Sequence, residues 1–390
     1  MKKTGERRKS RLRRAAAIAG TVAVITIAAL IFLYRDQLTP AALRTRFGLS
    51  NSTATDVSAA YTFDSGGDQV FAAAGNCLAV ASASGFQFLD SSGYLAAQAL
   101  FSMQSPAVAA FPGGAAFYDL GGTALRVAYE SGKTVTIEHW TAGNGETVSL
   151  DQAHTILAVS ANKSGMLAVL TEAPGYKALL TVFNKNLDPV YAWYSGTLRV
   201  LSAQVSPKGD SVTALCLSDT GSTIQCLSLS KEDPAWSVSY PGELFLDLRY
   251  CGNEIALLST GRLLFLNADS GAEAGSFDFA GRRLSCYDLG GDGFVAVVLG
   301  KAQAGIREEL ITISSTGTQR GDLILDRGAD SVCASGQRVL LLSGGSVILY
   351  DAALKVKGER DDALGFQRAL LLQSGDGLLL TSFTAERYQF

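Results

Sequence analysis

Residues 243–280, ELFLDLRYCGNEIALLSTGRLLFLNADSGAEAGSFDFA, are the pattern that the rest of the chain repeats. They divide into four short runs, 244–250, 254–259, 262–267 and 273–279, separated by Cys251-Gly252-Asn253, Thr260-Gly261 and Ala268-Asp269-Ser270-Gly271. Runs of about six residues bounded by Gly, Asn, Asp and Ser read as strands joined by tight hairpins, because those residues accept the positive φ that hairpin turns demand. The reading is one four-stranded antiparallel meander. A single such sheet leaves both faces bare, so it needs neighbours of its own kind.

The neighbours are in the sequence. Similar units fall at 69–101, 107–140, 156–194, 200–240, 284–325 and 330–359, a spacing of about 37–49 residues that matches propeller-type repeats. An eighth unit at 366–390 has three strands only, while Val57–Phe63, VSAAYTF, precedes the first unit and belongs to no other. Placing that orphan strand on the outer edge of the last unit closes a ring and removes the edges that an open array would expose. The expectation is therefore an all-β propeller of eight four-stranded blades over 57–390, closed by its N-terminal strand and preceded by one transmembrane helix. Seven blades follow if two weak units merge. A solenoid would want distinct capping repeats, which are not seen. An apolar content of 47%, with 41 Gly and 8 Pro, fits strands and turns and excludes a disordered chain.

Ala15–Tyr34 contains no charged residue, and its 20 positions make about 30 Å of helix, the thickness of a bilayer's hydrocarbon core. Ile18, Val22, Ile25, Ile27, Leu30, Phe32 and Tyr34 are its expected lipid-facing anchor residues. Residues 1–14 hold eight basic side chains against Glu6, a charge of about +7, so residues 15–390 carry about −10. By the positive-inside rule the basic tail stays cytoplasmic and the propeller lies outside the cytoplasmic membrane. A cleaved secretory signal is the competing reading, but the run is long for one and no small-x-small site follows it. Residues 35–56 read as a juxtamembrane linker. The acidic body argues against a nucleic-acid partner, which leaves the lipid bilayer and an unknown protein or cell-envelope partner.

The third strands end in polar turns, FLDSSG (Phe88–Gly93), FLNADSG (Phe265–Gly271) and SSTG (Ser314–Gly317), and tryptophan follows in DPVYAW (Asp188–Trp193) and EDPAWSV (Glu232–Val238). In these features the repeats resemble those of quinoprotein-dehydrogenase-type and WD-type propellers. With its single N-terminal anchor the whole chain also resembles a family of membrane-anchored propeller proteins of clostridia-like Gram-positive bacteria. That resemblance implies a fold and a location and carries no activity.

Side chains for chemistry are sparse. His139 and His154 have no metal-ligand spacing, no nucleophile elbow stands with a usable histidine, and the glycine pairs are hairpin turns rather than phosphate cradles. No cofactor cluster is found among the first strands, where Asp247 and Asp288 are channel candidates or ordinary turn carboxylates. Trp140, Trp193 and Trp236 all read as fourth-strand residues packing blade on blade. Cys216 and Cys226 flank one hairpin. A three-residue loop, 220–222, sets them opposite each other for a disulfide, whereas a loop of two or four residues sends them to opposite faces. The functional expectation is a binding scaffold that uses loops such as 143–152 and 301–309; a propeller enzyme, hydrolase or quinoprotein-like oxidoreductase, is the alternative.

Overall fold

In the computed structural model, which describes residues 57–63, 69–142, 145–231, 233–300 and 307–390, the described strands form eight four-stranded antiparallel sheets and one two-stranded ribbon. Seven of the large sheets are sequential meanders, and the eighth takes its fourth strand from the N-terminal side. The unit from Val57 to Phe390 is compact. The expected basic tail, the anchor Ala15–Tyr34 and the linker lie outside the described residues.

Blade 5 shows how the sequence makes the sheet. Its strands are Phe245–Cys251, Glu254–Ser259, Arg262–Asn267 and Glu273–Asp278, and Gly252, at φ 73°, supplies the left-handed residue of the first turn. Its second and third strands are buried on both faces because another blade covers each face. They therefore read as continuous apolar runs rather than alternating ones. Successive residues serve different interfaces: Ile255 and Leu257 pack with Leu215 and Ile224 of blade 4, while Ala256 and Leu258 pack with Val295 and Val297 of blade 6. Outer strands, half in solvent, alternate, as in Pro234–Pro241 and Glu273–Asp278.

The ring closes where the orphan strand predicted. Val57–Thr62 pairs antiparallel with Thr384–Tyr388, Val57 opposite Tyr388 and Tyr61 opposite Ala385. Tyr61 is fully buried among Leu78, Val80, Leu89, Leu370 and Leu378, so the closing strand is also part of the interface between blades 8 and 1. Arg387 fastens the same seam, its Nη2 2.6 Å from Asp376 Oδ2 and its Nη1 donating to the Ser91 carbonyl of blade 1 at 2.9 Å. Gln373 N donates to Gly75 O at 3.0 Å and Ser374 N to Asn76 Oδ1 at 2.8 Å across that junction.

Several expectations change. The stretch read as a loop before blade 3 contains a ribbon, His139–Thr141 paired with Thr147–Ser149. Trp140 belongs to this ribbon and not to a fourth strand; it is buried edge-on against Phe183, with ring centroids 5.3 Å apart. Trp193 and Trp236 do lie in fourth strands, and Trp236 Nε1 donates to Ala268 O of the next blade at 3.0 Å. The Cys216–Cys226 disulfide does not form. Ser218 pairs with Gly221 across a two-residue loop, which sets Cys216 opposite Thr223 and Cys226 opposite Thr213, so the two thiols leave opposite faces and stay free. Of the loop 301–309 expected to serve binding, 301–306 lies outside the described residues. Its end is docked, with Glu308 accepting from Ser285 Oγ and, at 2.9 Å, from Ala329 N.

Candidate functional site

Eight strands line the axis: Val70–Ala74, Pro106–Phe111, Ile156–Ala161, Arg199–Val205, Phe245–Cys251, Arg283–Asp288, Ala329–Ser335 and Arg368–Leu371. All run in one direction along the axis, so the ring has a start face and a far face. The inner edge of each strand has no ladder partner, and its backbone groups need other ones. Neighbouring blades provide them. Asp288 Oδ2 accepts from Ala334 N at 3.0 Å, Ser331 Oγ from Ala369 N at 3.0 Å and Cys333 Sγ from Leu371 N at 3.3 Å, while Ser160 Oγ donates to Ala203 O at 2.5 Å. Ser160, Ser331 and Cys333, which look uninformative in the sequence, are edge caps.

At the far face the loop after the blade 6 inner strand folds inward. Gly291 bridges to Gly336, Asp292 N donates to Gly336 O at 2.8 Å, and Lys163 Nζ of blade 3 reaches Asp292 Oδ1 at 2.7 Å. Blades 3 and 6 are three steps apart round the ring, so this ion pair spans the channel mouth. Both side chains are exposed, so it positions the loop more than it stabilises the fold. Gly290 lets the loop approach, since a Cβ there would stand 2.6 Å from Ala334 O.

The start face is different. In blades 3 to 7 the inner strand carries a bulge one residue after its first core position, between Ile156 and Ala158, Val200 and Ser202, Phe245 and Asp247, Leu284 and Cys286, and Ala329 and Ser331. A bulge leaves its extra residue unpaired and re-aims it. Leu201, Leu246, Ser285 and Asp330 are so turned out, Leu201 and Leu246 being 41% and 54% exposed, whereas Leu157 packs back against the core between blades 3 and 4. Beside them stands Leu244, 58% exposed, in the link leading into blade 5. One arc of the mouth, at blades 4 and 5, is thus lined with leucine.

Of the two sequence candidates, Asp247 lies at this mouth and Asp288 at the other end of its strand. Asp247 Oδ1 accepts from Leu248 N at 2.7 Å and Oδ2 from Tyr287 Oη at 3.3 Å. Burial raises its carboxyl above the usual aspartate range, against the Leu248 hydrogen bond and the Arg249 charge. Tyr287 is pushed up to about 12 by burial, with Asp247 adding to the effect. Asp288 is a cap on both oxygens, Oδ1 also accepting from Gly290 N at 2.7 Å. His154 contacts Asp151 at 3.3 Å in the link leading into blade 3, and His139 is exposed on the ribbon. Among the described residues no group of three or more His, Cys, Asp or Glu side chains is placed to hold a metal ion. Sequence reasoning missed the leucine arc because a bulge shifts the phase of a strand without leaving a residue signature.

No family model matches the chain, and no curated protein matches it. Solved structures do. BamB from Moraxella catarrhalis is similar at 13% identity and a TM-score of 0.53, covering 86% of this chain and 100% of that one. The C-terminal WD40 domain of Sif2 is similar at 12% identity and a TM-score of 0.56, covering 86% and 100%. Quinohemoprotein alcohol dehydrogenase from Comamonas testosteroni is similar at 10% identity and a TM-score of 0.54, covering 85% and 76%. At such identities the likeness is one of fold, and the chain is an eight-bladed β-propeller.

Proposed function

We propose that this protein is a single-pass membrane protein that holds its propeller outside the cytoplasmic membrane as a binding scaffold for a protein or cell-envelope polymer. The reading of location rests on the uncharged run Ala15–Tyr34 with a basic tail on its N-terminal side. It agrees with the membrane-anchored propellers of clostridia-like Gram-positive bacteria that the sequence resembles. The scaffold reading rests chiefly on one observation: the inner-strand carboxylates Asp247, Asp288 and Asp330 are each held by backbone amides of the ring. Groups fixed in that way serve the wall of the channel and do not converge on a reacting atom.

Protease treatment of intact cells tests the placement. Cleavage in 35–56 is expected to release a folded propeller into the medium; a propeller protected until the cells are lysed would overturn the topology. Crosslinking in intact membranes, followed by recovery through the propeller, is expected to yield a partner, and recovery of lipid alone would count against the scaffold.

A further inference from the structure

The described chain has thirteen arginines, and nine of them have partners. Arg262 pairs with Glu243, Arg282 with Glu309, Arg307 with Asp326, Arg360 with Asp362 and Glu386, and Arg387 with Asp376. Arg126 lies over Phe101, and Arg320, Arg327 and Arg338 reach Gln337, Gly344 O and Gly375 O. Arg199, Arg249, Arg283 and Arg368 form no hydrogen bond, ion pair or ring contact among the described residues, and all four lie on inner strands. Three of them occupy one place. Arg199, Arg283 and Arg368 each open an inner strand, one residue ahead of its first core position, in blades 4, 6 and 8. All three are exposed. They sit round the start face, Arg199 on the strand of Leu201 and Arg283 one blade on from Leu246, with Arg368 across the ring from blade 4.

Three acids of this face are already engaged. Asp247 accepts from Leu248 N and Tyr287, Asp330 from Gly344 N at 2.9 Å, and Glu308 from Ser285 and Ala329 N. In a body of about −10 charge, three unpaired guanidinium groups on one face are where a carboxylate would be received. Guanidinium forks match carboxylates bidentately. The leucine arc excludes water beside them and has nothing to offer a purely hydrophilic polymer.

We infer that the start-face mouth of the channel binds an acidic protein segment, its Glu or Asp side chains meeting Arg199, Arg283 and Arg368 and its apolar side chains seated on Leu201, Leu244 and Leu246. This deepens the scaffold reading and rests on it for biological meaning, but the binding itself is independent of which side of the membrane the propeller occupies.

The test uses the full chain in detergent micelles and a short fluorescent peptide in which Glu alternates with Leu and Phe. Fluorescence polarisation is expected to show binding that weakens with added salt and is absent for the peptide's Lys-for-Glu twin. The triple variant R199Q/R283Q/R368Q should bind at least about tenfold more weakly, as loss of charge-assisted hydrogen bonds requires. L201S/L246S should also weaken binding, whereas Y94S on the far face should leave it unchanged. All of these side chains are exposed, and thermal melts matching the parent confirm that each variant is folded. Equal binding of the two peptides, or undiminished binding by the arginine variant, overturns the proposal. So does binding of sodium polyphosphate with none of the acidic peptide, which would assign the mouth to a phosphate polymer. Because the probe assay is made in micelles, its failure is separable from a protease result that relocates the propeller.

Discussion

Asp247 is the residue whose environment makes the sharpest demand. Its folded-state carboxyl is raised by burial, so the ionised form is less welcome in the channel wall than in the unfolded chain. A raised value means that stability present below the ordinary aspartate range, about 3.9, is lost as pH climbs through the folded value. Asp247→Asn is therefore expected to raise the Tm at pH 7, with the gain disappearing by about pH 2.5, where both states of the parent are protonated. Melting curves of the two proteins at both pH values check this, and a gain that persists in acid would show that charge is not the cause. The cysteines make a second demand. Burial pushes Cys216 up to about 12 and also raises Cys226, and the hairpin register keeps them apart. Reductant is expected to leave the Tm unchanged, and alkylation of either thiol should await unfolding.

The seam and the loop at the far face are where elements, rather than single side chains, decide behaviour. Tyr61 is the buried anchor of the closing strand, and Tyr61→Ala should destabilise by about 3–5 kcal/mol, measured by denaturant titration. Arg387→Ala removes a charge-assisted bond and leaves Asp376 without its cation, for a loss of about 2 kcal/mol. Gly290→Ala sets a methyl against the Ala334 carbonyl and is expected to lower the Tm by separating the blade 6 loop from blade 7.

The same elements show what could be read from sequence. The strands Glu254–Ser259 and Arg262–Asn267 have their observed bounds in the sequence pattern, because Gly and Asn punctuate runs too short for any helix. The closing strand was legible from a strand count. The ribbon was not, since strands of three residues such as Thr147–Ser149 carry no alternation. Nor were the bulges, or the arginines left without partners: whether Arg199 meets a carboxylate depends on residues far away in the chain, and Arg262, in a similar local setting, finds Glu243.

At the scale of the whole molecule, every blade except the closing one is a local meander, and one pairing ties the ends together. Deleting 57–62 is expected to replace one cooperative unfolding transition with a broad one, read by circular dichroism, and to promote aggregation through the bared edge of Thr384–Tyr388. A variant that still melts in one sharp step would show that the ring holds without its clasp.

That clasp also imposes a schedule on biosynthesis. Val57 pairs with Tyr388, so the first strand of the propeller to leave the ribosome must remain single while roughly 330 further residues are made, about half a minute at ordinary elongation rates. Seven blades have time to stack before their last position can be filled, and the nascent chain carries a ready-to-pair segment through the whole of that interval.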